Sequence, residues 1–205
     1  MDYIADDFKH GTGLKMGHGI IIEPDVIVGD NVKLGHRVTV KSGTRMADNS
    51  TLDDHCITTG ACYIGRHVNI RTGAIISKST ILEDYCFVGP GVITNHTKNV
   101  VHGREKQLKH EQLLSYICYG SILGSQASLL AGVYVGPQSI IGGGTVVVKD
   151  LPGHGVFVGS PARRLMDLPP GYRMEEPEDV GKMYMTEEIL SVLKKYMPQL
   201  RLRES

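Results

Sequence analysis

The feature that most constrains this chain is a period of six residues. From Met16, every sixth position reads Met16, Ile22, Val28, Leu34, Val40, Met46, Leu52, Thr58, Ile64, Ile70, Ile76, Leu82 and Val88. Only Thr58 in this series is not a large apolar residue, in a sequence that is 41% hydrophobic, so composition does not explain the pattern. A second ladder runs two residues earlier, from Leu14, Ile20 and Val26 through Cys56, Cys62 and Ala74 to Cys86 and Val92, and all its members are aliphatic or small. Glycine often follows the large residue, as at Gly17, Gly29, Gly35, Gly65 and Gly89.

Residues two apart on a strand point the same way, so each pair of ladder positions describes a short strand facing one interior. Between strands the chain must turn, and glycine tolerates the positive φ that a tight corner demands. Three six-residue faces close one coil of about 18 residues, and coils stack by hydrogen bonding strand to strand. The expected fold is therefore all-β, a parallel β-helix. Spacing alone leaves its hand open.

The register breaks after Thr94 and resumes at Ile117, continuing through Leu123, Leu129, Val135, Ile141 and Val147. Those 23 positions stand where one repeat takes six, so 17 residues are extra and segment 96–116 is expected to be a loop extruded from the coil. Long excursions from a regular scaffold tend to carry function. The β-helix is expected to span 1–165, and 166–205 to form a linker and a C-terminal helical extension. Within it, TEEILSVLKKYM over 186–197 predicts a helix. Thr186 suits the N-cap, Glu187 and Glu188 the first turn, Lys194 and Lys195 the last. Its apolar side is expected to cover an open end of the coil.

Composition narrows the function. The chain has 22 basic and 22 acidic residues, so no polybasic stripe argues for nucleic acid, and no apolar run reaches the length of a membrane span. The start, MDYIADDFKHG, lacks the basic and apolar regions of a secretion signal. Cys56, Cys62, Cys86 and Cys118 form no CxxC pair and read as small interior residues of a cytoplasmic protein. His18 and His36 stack on successive coils and read as a solvent-facing ladder. His102, Glu105 and His110 lie in the loop and read as solvated.

From Ile70 to Leu165 the sequence resembles the hexapeptide-repeat N-acetyltransferases that act on nucleotide-linked amino sugars. The resemblance is carried by LEDYCFVGPGVITNH (82–96), REKQLKHEQLL (104–114) and LGSQASLLAGVYVGPQSIIGGGTVVVKDLPGHGVFVGSPARRL (123–165). It implies a left-handed coil, an acetyl-CoA co-substrate lying between neighbouring subunits of a homotrimer, an amino-sugar or sugar acceptor, and a role in surface polysaccharide biosynthesis. On the same basis Gly132, Gly143 and Gly144 would approach the pantetheine arm, and Lys149, Arg163 and Arg164 would meet the CoA phosphates. Asn95 and His96 match the family's active-site positions, with His96 as general base and Asn95 orienting substrate or stabilising an oxyanion. An imidazole suits proton removal near neutral pH.

Two stretches depart from the family. RTGAIISKS (71–79) stands where close relatives tend to carry an Asn-rich run with a Tyr, and TKNVVHG (97–103) where they often have Pro-Arg-Ser. The sialic-acid and bacillosamine-type relatives place a catalytic histidine where this chain has Lys78. Two other readings use the same coil. A zinc hydrase resembling the γ-class carbonic anhydrases would need three converging histidines, and His96 and His102 are the candidates near the loop. A non-catalytic scaffold would need none of the acetyl-CoA segments.

Overall fold

The computed structural model describes residues 1–178 and 184–202. The ladders build what their spacing implies, a parallel β-helix whose strands, mostly two residues long, stack into three parallel sheets, and the coil is left-handed, as the resemblance implied. Face A starts with Tyr3–Ile4, face B with Lys9–His10 and face C with Lys15–Met16. Cα partners sit 18 residues apart, as in Ile57↔Ile75 on face A, Tyr63↔Ile81 on face B and Asn69↔Phe87 on face C. Across the break the offset becomes 35 on all three faces, at Leu82↔Ile117, Val88↔Leu123 and Thr94↔Leu129. The 17 extra residues thus leave the coil without disturbing its register. The last coil is two residues short, pairing Ile141 with Phe157. A hairpin of Gly155–Val158 against Arg163–Asp167 then closes that end.

Both ladders point inward and are buried from Ile20 onward. Four of the polar exceptions pair: Thr58 bonds Thr44 at 2.9 Å, and Thr94 bonds Thr80 at 3.1 Å. Ser50 donates instead to the Ala47 carbonyl and Ser139 to that of Gly136, while the buried Thr145 hydroxyl has no partner among the described residues.

The corners correct the expectation about glycine. The residue in the left-handed region is the one before the small inward residue, and asparagine, histidine and tyrosine fill it as well as glycine does: Asn31 (φ 55°), His67 (φ 57°), Gly73 (φ 73°), Tyr85 (φ 60°). The glycines that follow the large residue serve close approach instead. A Cβ on Gly65 would lie 2.7 Å from the Asp84 amide nitrogen of the next coil, and one on Gly89 2.7 Å from that of Ser125.

Beside these close approaches, side chains tie each coil to the one before. The Asp54 carboxylate accepts from the His36 amide at 2.7 Å, and His36 Nδ1 accepts from the His18 amide at 3.0 Å. His18 and His36 therefore belong to a corner ladder, their rings 5.4 Å apart. Among the described residues no cluster of three His, Cys, Asp or Glu side chains could hold a metal ion.

Helix α1 spans Glu187–Tyr196, and the Thr186 side chain accepts from the Ile189 amide as N-cap. It lies against the side of the coil on face B, not over an open end. Ile189, Leu193, Met197 and Tyr184 pack on Ala61, Ile81 and Leu114. Gly43 makes room, since a Cβ there would stand 2.6 Å from the Tyr196 ring. Asp25 latches the helix, receiving Lys195 Nζ and the Tyr196 hydroxyl at 2.6 Å each and Arg45 at 2.7 Å. Among the described residues no helix is long and apolar enough to cross a membrane.

Candidate active site

The chain leaves the coil where face A meets face B. Thr94 is the last residue of its face-A strand, and Asn95 and His96 occupy the edge. The excursion is pinned at its base. Thr97 bridges Gln112, the Lys98 amide donates to the Glu111 carbonyl at 3.0 Å, and the Leu113 amide to the His96 carbonyl at 2.9 Å. Leu200–Arg201, beyond α1, adds a strand alongside Gln112–Leu113. The coil resumes with Ser115–Ile117.

Asn95 is half-buried, and its Nδ2 donates to the Leu129 carbonyl at 2.9 Å, which fixes the amide against the following coil. His96 is half-buried too. Its Nδ1 is buried with no partner, so Nε2 is the nitrogen left to reach outward. Burial lowers the His96 pKa from its usual range, and the charges of Lys78 and His110 lower it further. Lys78 stands one coil below on the same edge, and His110 comes from the excursion. His102 is exposed, and Glu105 accepts from the Gly103 amide.

The six residues expected to bind the co-substrate fall into two sets. Gly132 and Lys149 lie on the His96 edge, on successive coils above it. Lys149 is exposed, whereas Leu113 seats over Gly132, where a Cβ would meet its side chain at 2.7 Å. Gly143 and Gly144 lie on the other edge of face A, where it meets face C. Both are exposed, and a Cβ on Gly144 would meet nothing within 4 Å. Arg163 and Arg164 stand near that edge on the closing hairpin. Arg163 is exposed, and its Nη1 donates to the adjacent Ala162 carbonyl at 2.9 Å. Arg164 is engaged by the Gly153 and His154 carbonyls and by Asp167. Within one chain, face A separates the histidine edge from the glycine edge.

Sequence reasoning passed over Glu83, a fully buried carboxyl group that lines a cavity of about 560 Å³ on face B. The signal was its place in the repeat, where other coils carry Gly29, Ala47, Gly65 and Gly136. The cysteines are buried and unpaired, and burial pushes Cys56 up to about 11 and Cys62 and Cys118 up to about 12. Such thiols are poor nucleophiles.

No protein-family model matches the chain. It is 35% identical over 68 residues to a Staphylococcus aureus protein whose name assigns it provisionally to the acetyltransferases, and the match spans 33% of each chain. It is 36% identical over 61 residues to a Bacillus pumilus serine acetyltransferase, spanning 30% of this chain and 26% of that one. The match thus spans about a third or less of these curated relatives. Among solved structures, a mutant form of AntD, an N-acyltransferase from Bacillus cereus in complex with dTDP and coenzyme A, superposes with a TM-score of 0.54. That likeness covers 72% of this chain and 84% of AntD at 16% identity, so it speaks for the fold.

Proposed function

We propose that this chain, which belongs to the hexapeptide-repeat β-helix acetyltransferases, transfers an acetyl group from acetyl-CoA to the amine or hydroxyl of a sugar, nucleotide-linked, in surface polysaccharide biosynthesis. The observation that carries the reading is His96 itself. It stands at the base of the excursion, on the edge that also holds Lys149, and its environment favours the neutral imidazole. The matches to proteins named acetyltransferases support the chemistry, and the coenzyme A held by AntD supports the co-substrate.

Acetyl-CoA supplies an activated thioester. As the acceptor nitrogen bonds to the acetyl carbon and the carbon–sulfur bond breaks, His96 Nε2 takes the proton that the nitrogen loses. Nε2 is basic in the tautomer that carries its hydrogen on Nδ1; burial and the charges of Lys78 and His110 disfavour the imidazolium, which passes its proton to the departing thiolate. Asn95, held by Leu129, is placed to orient the acceptor or to donate to the developing oxyanion. The open corner at Gly144 leaves room for a chain to pass, and exposed Lys149 and Arg163 suit phosphate oxygens. Arg164 would have to leave its hairpin partners to join them.

The two edges of face A explain why we propose a homotrimer with sites between subunits. A groove touching both sets at once takes the His96 edge from one copy and the Gly143–Gly144 edge from another. Face B is covered by the chain's own extension, whereas face A presents Ile21, Ile57, Ile75 and Ile93 outward in one row. A panel of UDP- and dTDP-linked amino sugars with acetyl-CoA, read by released thiol, tests the function. Acceptor-dependent thiol release is expected. Silence across the panel, with no thermal stabilisation by CoA, would overturn the reading in favour of a scaffold.

A further inference from the structure

Among the described residues three cationic side chains are half-buried: Lys41, Arg45 and Lys78. Lys41 pairs with Glu23 at 3.3 Å, and Arg45 with Asp25 at 2.7 Å. Lys78 pairs with no carboxylate among the described residues. On its edge, between faces A and B, the coil below supplies Thr59, Gly60 and Ala61, and the coil above supplies Asn95 and His96. None of these is an anion. On the excursion, Glu111 is engaged by Lys98 at 3.6 Å. A half-buried cation left unpaired is unfavourable, because burial penalises the charged form.

The backbone beneath this charge is held from both sides. The Ser77 amide donates to Thr94 Oγ1 at 2.8 Å and the Ser77 hydroxyl to the Thr94 carbonyl at 2.6 Å. The Lys78 amide donates to Thr59 Oγ1 of the coil below at 3.0 Å. The stem of the side chain lies over Gly60, where a Cβ would meet Lys78 Cβ at 3.2 Å. Lys78 is thus a positioned charge. Successive coils are about 4.8 Å apart, a distance that two substituents of one pyranose ring span. The charge also works against the base, since it lowers the pKa of His96. An anion seated on Lys78 would offset both effects.

We propose that Lys78 determines acceptor specificity by receiving an anionic substituent, carboxylate or phosphate, of the sugar whose amine or hydroxyl faces His96. The inference rests on the acetyl-transfer reading and assigns it a negatively charged acceptor. The contact is an ion pair, and no covalent bond forms.

The test is NMR titration of the His96 ring in the full chain, at constant ionic strength, with methyl glucuronide, glucose 1-phosphate and methyl glucoside as probes. An anionic probe should bind saturably and raise the His96 pKa towards 6.5, whereas methyl glucoside should leave it unmoved. The tighter of the two anions identifies the source, a ring carboxylate or the phosphate that carries a nucleotide. Lys78→Met should weaken that probe about tenfold, and Lys78→Arg should retain it. Absence of saturable binding by either anion, equal affinity for methyl glucoside, or unchanged anion affinity in Lys78→Met would each overturn the proposal. If Lys78→Met fails to fold, the charged and neutral probes on the natural chain decide it. Thiol release across the acceptor panel is measured separately, so turnover that ignores acceptor charge sinks this subsite and leaves acetyl transfer standing.

Discussion

At Gly65 a single methyl group would stand 2.7 Å from the backbone of the next coil, while at Gly73 the same group would meet nothing within 4 Å. Gly65→Ala should therefore cost about 1–3 kcal/mol in urea unfolding, as overpacking against backbone does. Gly73→Asn should stay within about 0.5 kcal/mol, because asparagine tolerates the left-handed region. The reverse order would show that corner φ, not close approach, selects glycine. His96 carries the second residue-scale expectation. Its lowered pKa means that the folded chain prefers the neutral ring, so its share of stability is present above the ordinary value of 6.5 and is lost as pH falls below that. The acid limb of kcat/KM should likewise lie below 6.5. Lys78→Met should move the limb upward, read by kinetics and by NMR titration of the His96 ring. An unmoved limb would remove Lys78 from the site.

Among the elements, helix α1 was legible from Thr186, Glu187 and the apolar spacing of Ile189, Leu193 and Met197, but its docking face was not. An amphipathic pattern shows that one side is buried and says nothing of the partner. The partner is set by Gly43 and Ala61, far away in sequence and neighbours only once the coil has wound. The excursion shows the same limit. Its length followed from the register, whereas its pinning by Leu200–Arg201 depends on a parallel pairing that no local pattern announces. Lys78 became interesting only through an 18-residue offset from His96. Asp25→Asn should loosen α1, costing about 1–2 kcal/mol and speeding amide exchange in the helix. Lysine, arginine and tyrosine donors hold the Asp25 carboxyl well below its ordinary value of 3.8, against the opposing effect of burial. Its contribution is thus present above that value and lost as pH falls towards the folded pKa. Protection factors, taken relative to the intrinsic exchange rate, that stay unchanged as pH falls towards the folded pKa would mean that another contact holds the helix.

Over the whole molecule, the period of six dictated the fold because each coil repeats the same burial problem, and small errors cannot accumulate without breaking the stack. What a period cannot convey is which faces stay open. Face B is closed by the extension, and face A keeps its isoleucine row, with Ile21 and Ile93 still 42% and 41% exposed. Ile75→Lys should convert the proposed trimer to monomer in sedimentation and abolish transfer, because each site would lose one of its two edges. A variant that remains trimeric would move the interface elsewhere. The central claim, acetyl transfer with His96 as base, is tested most directly by thiol release from saturating acetyl-CoA by the natural chain and by His96→Ala, with CoA affinity measured on both. Turnover should fall about 10²- to 10⁴-fold while CoA affinity hardly changes. Turnover by His96→Ala at the rate of the natural chain would contradict the account.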